Sequence, residues 1–150
     1  MAADSGTLDP PSIVSASKNP PLEILTLRYG GFPISHRDAL AWANRVRAAN
    51  GLRLLTDAPH DSGSIMGTLN HVVEAAGGVK CNPHGRIEAG KPYEKYIIIT
   101  QYEVGEWLSV NGVVEPSAYL VEGETETIGK ELLRREGIAH EPFTSCFTYY

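Results

Sequence analysis

Residues able to do chemistry gather between positions 57 and 91 of the 150-residue chain. His60, His71 and His84 can each carry a proton near neutral pH, so they are the candidates for acid–base work. Cys81 lies three residues before His84, and a thiol with an imidazole as its base is a potential nucleophile. Ser62, Gly63 and Ser64 stand where a helix begins. Free backbone N–H groups and two hydroxyls there could hold a phosphate or carboxylate. Arg86 and Lys91, flanked by Gly85 and Gly90, could close over an acidic ligand as a small lid.

Each has a plainer explanation. His71 falls on the polar side of its helix, beside Glu74, where a solvated imidazole is unremarkable. His71, Glu74, Cys81 and His84 carry zinc-ligand chemistry, but no second spaced pair completes the C-x-x-H, so no metal and no cofactor is expected. Cys81 could be inert core filler, and Asp61, Ser62 or Ser64 a simple N-cap. The tyrosines of the C-terminal half suit cross-strand packing better than a stacking platform.

The elements that must position these residues follow from periodicity. Residues 1–21, with four prolines and no pattern, are expected to be a flexible leader, and 22–150 a single domain. LEILTLRY, Leu22 to Tyr29, predicts a strand that Gly30-Gly31 breaks. Ser35 caps a helix ending at Asn50-Gly51, with Ala39, Trp42, Ala43 and Val46 on one face. A short LRLL, Leu52 to Leu55, follows and could be a strand. A second helix runs from Ser62 or Ser64 to about Ala76, burying Ile65, Leu69, Val72, Val73 and Ala76. A long polar connection, Asn82 to Lys95, leads to Tyr96–Tyr102, a strand continuous enough for burial on both faces. Asn111-Gly112 signals a hairpin, and Pro116 places its second strand at an edge or breaks it there. Glu122–Gly137 forms a third helix, with i,i+4 pairs Glu126–Lys130 and Glu131–Arg135. IAHEPFTSCFTYY closes the chain as a strand. The expectation is an α+β fold: a mixed or mainly antiparallel sheet of about four to six strands, with three helices largely on one face.

Apolar content of 42% and charged content of 21% are ordinary globular values. A net charge of −5 with scattered basic residues argues against a nucleic-acid surface. The apolar runs are too short to span a bilayer, so no membrane partner is expected. Two cysteines make no disulfide framework and favour a reducing, cytoplasmic setting. The Rossmann and P-loop glycine patterns are both missing. The functional expectation is a domain that binds a small, anionic ligand between the 57–64 turn, the polar face of helix 64–76 and the 82–95 loop, with histidine acid–base catalysis if it is an enzyme. The alternatives are a protein-interaction or homodimerising module using strand edges and C-terminal aromatics, and a zinc-binding domain.

Overall fold

The computed structural model describes residues 26–105, 109–110, 113–114 and 119–149. The expected leader, the Asn111-Gly112 turn and Pro116 lie outside them. Its main sheet has four strands: β1 (Thr26–Ser35), β2 (Lys80–His84), β3 (Lys95–Gly105) and, last in the chain, β6 (Thr144–Tyr149). Their order across the sheet is β2-β3-β1-β6, antiparallel throughout. A separate two-stranded ribbon pairs β4 (Ser109–Val110) with β5 (Val113–Val114). Helices α1 (His36–Ala49), α2 (Ser62–Ala75) and α3 (Glu126–Glu136) complete an α+β arrangement.

All three helices lie on one face of the sheet. Ala39, Trp42 and Ala43 from α1, Ile65, Leu69 and Val73 from α2, and Leu132 and Leu133 from α3 join one core with Phe32, Ile34, Cys81, Tyr96 and Ile98. Burying these side chains at about 1.5–3 kcal/mol each is the main stabilisation. Ile97 and Ile99, which alternate to the other face, are buried as well, as the unbroken apolar run of β3 predicts. Helix α1 starts where the sequence places it: the Ser35 side chain accepts the Asp38 backbone N–H at 3.1 Å.

Four details differ from the sequence expectation. Gly30-Gly31 does not end β1 but sits inside it, at a bulge. Gly30 pairs with Gln101 and Gly31 with Ile99, leaving Thr100 as the extra residue of β3. Glycine is needed because a Cβ on Gly31 would lie 2.0 Å from the Ile98 carbonyl oxygen. Residues 80–84 form β2 rather than the start of a long loop, which shortens the connection to β3 to residues 85–94. The short LRLL segment, 52–55, is irregular and not a strand. On α3, Lys130 pairs with Glu122 and Glu131 with Arg134, while Glu126 turns inward. None of the helices among the described residues is long and apolar enough to cross a membrane.

Candidate functional site

The 57–64 turn and the 85–94 loop meet at the end of the sheet where β1 passes into α1. Asn44 of α1 pins the segment before the turn, donating to the Leu55 carbonyl at 2.9 Å and accepting its N–H at 2.7 Å. Asp61, fully buried, accepts the Thr56 N–H at 2.7 Å and its hydroxyl at 2.9 Å, and meets Arg53 at 3.3 Å. The Thr56 N–H first, then Arg53 and the Thr56 hydroxyl, hold its carboxyl down at about 2 against the opposing effect of burial. The turn held in this way runs through a 3-10 segment, Pro59–Asp61, into α2.

Within that frame a polar chain crosses from solvent into the core. Asp57, exposed, lies 2.7 Å from His36 Nε2. His36 Nδ1 lies 3.4 Å from the Tyr96 hydroxyl, and the two rings stack with centroids 5.8 Å apart. The Ser62 hydroxyl donates to the Tyr96 oxygen, and Ser62 in turn accepts the Tyr93 backbone N–H at 3.2 Å. Burial pushes the Tyr96 phenol up to about 12, the Ser62 hydrogen bond offsetting only part of it. It is therefore a neutral donor. The arrangement that uses each of these donors once runs Tyr93 N–H, Ser62 O–H, Tyr96 O–H, His36 Nδ1, with Nε2–H on Asp57. Such a chain fixes the imidazole tautomer and the orientation of its ring.

The sequence-predicted residues divide around this chain. Ser62 belongs to it, buried at the start of α2, whereas Gly63 and Ser64 are exposed on the next positions. His60 is exposed, 3.7 Å from Asp61. Arg86 and Lys91 do converge, but on Glu88: Arg86 Nε lies 3.1 Å from one carboxylate oxygen and Lys91 Nζ 3.2 Å from the other. Cys81 is fully buried in the core, where burial pushes its thiol up to about 12. His84 is on the opposite face of the sheet from it, because residues three apart on a strand point to opposite sides. In the turn expected from the sequence they could have met; in β2 they cannot. Burial and the neighbouring Lys95 push the His84 imidazole down, with Glu141 and Glu94 pulling it back up. His71 is exposed on α2. It lines a cavity of about 320 Å³ with Val46, Arg47, Leu52 and Thr68, between α1 and α2. Among the described residues no three His, Cys, Asp or Glu side chains converge to hold a metal ion.

Sequence reasoning missed His36, Asp57 and Tyr96. One signal was available: a histidine in the first turn of a helix sits at the end where the macrodipole disfavours positive charge, so it calls for a compensating partner. Compared with known proteins, the chain matches no family model, no curated protein and no solved structure.

Proposed function

We propose that this chain binds a small anionic ligand where the 57–64 turn meets the 85–94 loop, with His36 as the acid–base group of the site. The observation that carries the reading is the chain Asp57–His36–Tyr96–Ser62, tied to the loop through Tyr93. It joins an exposed carboxylate, a titratable ring and the first residue of α2, a helix end whose dipole favours an anion. Arg86 and Lys91 support it from the loop. One cation on each oxygen of Glu88 is the geometry a ligand carboxylate would take, so Glu88 acts as an internal competitor.

The test is a heteronuclear NMR titration with acetate and with inorganic phosphate. Saturable shifts at His36, Ser62, Gly63, Arg86 and Lys91 are expected, stronger in Glu88→Gln and lost in His36→Gln. Linear shifts spread over all exposed cations, with no difference between the variants, would overturn the proposal.

A further inference from the structure

The cavity of about 320 Å³ between α1 and α2, which His71 lines, is at the lower end of the range of small-molecule sites. None of its lining residues belongs to the site at His36. Its cation is Arg47, half-buried in the last turn of α1 and held from two sides. Nε donates to the Arg53 carbonyl at 2.7 Å, and Nη1 donates to the Thr68 hydroxyl of α2 at 3.3 Å. The C-terminal end of a helix favours a cation, which accounts for an arginine at this position. The two hydrogen bonds do something further. They order a long side chain that would otherwise lose its rotamer freedom when a ligand binds. Of the five guanidinium N–H groups three remain, both on Nη2 and one on Nη1, and no acidic side chain among the described residues takes them.

The other groups around the cavity are spent on the chain, are donors, or are apolar. Thr68 Oγ1 accepts from Arg47 and gives its own hydrogen to the Ser64 carbonyl at 2.8 Å. The last carbonyls of α1 are also occupied: Val46 by Asn50 Nδ2 at 2.8 Å, Ala48 by the Gly51 N–H and Arg47 by the Leu52 N–H. Acceptors that would oppose an anion at this helix end are therefore satisfied internally. His71 makes no hydrogen bond or ion pair among the described residues, so its ring N–H is open to a ligand. Val46 and Leu52 supply an apolar wall, with Leu52 left 53% exposed.

We propose that this cavity binds a small carboxylate with an apolar body. The carboxylate accepts from the open N–H groups of Arg47 and from His71, while the body rests against Val46 and Leu52. A planar guanidinium fits a carboxylate better than it fits any neutral acceptor, and here it is already oriented. An amine of the same shape meets a group of its own charge.

Phenylacetate and phenethylamine share a ring and differ in charge, so they make the test, read by calorimetry and by the Arg47 Nε–H and His71 ring resonances. Phenylacetate saturates the site and phenethylamine does not. Arg47→Gln removes the oriented fork and weakens phenylacetate binding by about tenfold or more. His71→Gln and Leu52→Ser, both at exposed positions where folding tolerates the change, weaken it too. Arg135→Gln, which removes one exposed cation from α3, leaves it unchanged. Equal binding of the two probes, no saturation by phenylacetate, or unaltered affinity in both Arg47→Gln and His71→Gln would overturn the proposal.

Discussion

The sequence offers Cys81 both as a nucleophile and as inert core filler; the structure buries it, and its reactivity can be calculated. Suppose the native protein, in a Cys146→Ser background, is treated with iodoacetamide at pH 7. Only the thiolate reacts. Burial lifts the Cys81 thiol from its ordinary 9.0 to about 12, so the ionised fraction falls from about one in a hundred to about one in 10⁵, a loss of roughly a thousandfold. The side chain is also inaccessible, and labelling must therefore pass through opening of the core. At an opening free energy of about 5 kcal/mol, the low end for a domain, about one molecule in 5,000 is open at any moment. Native labelling should therefore run at least about a thousandfold slower than in denaturant, and should rise with urea along the unfolding curve. Peptide mass spectrometry after timed quenching measures both rates. A native rate within about tenfold of the denatured one would refute the placement of Cys81 in the core, and with it the face assignment of β2.

Two further outcomes test the frame. Gly31→Ala should cost about 3 kcal/mol or more in urea unfolding, because the new Cβ meets the Ile98 carbonyl and the Ile99 Cα, backbone atoms that cannot move aside without parting β1 from β3. Gly90→Ala, with nothing within 4 Å of its added Cβ, is the control and should cost only the left-handed backbone penalty of about 1–2 kcal/mol. Asp61 gives the pH dependence. Its folded-state carboxyl sits at about 2, below the ordinary 3.8, so it favours folding above pH 3.8 and the contribution is lost as pH falls from there toward 2. Unfolding midpoints measured across that window should fall less steeply in Asp61→Asn than in the parent.

The helices were legible because their signals are local. Ser35, the Ala39–Trp42–Ala43 spacing and the left-handed Gly137 stop act within a few residues of the boundaries they set. The same holds for the hydrophobic face of α2, where Ile65, Leu69 and Val73 are buried. Gly30-Gly31 misled because glycine serves both turns and bulges, and only the approach of the Ile98 carbonyl distinguishes them. The C-x-x-H spacing misled for a related reason. Three residues in a turn can bring side chains together, while three in a strand separate them. For the site, Ser62 could be found as the start of α2, but its partners could not. His36 lies 60 residues from Tyr96 and 21 from Asp57, and strand register, not spacing, brings them into contact.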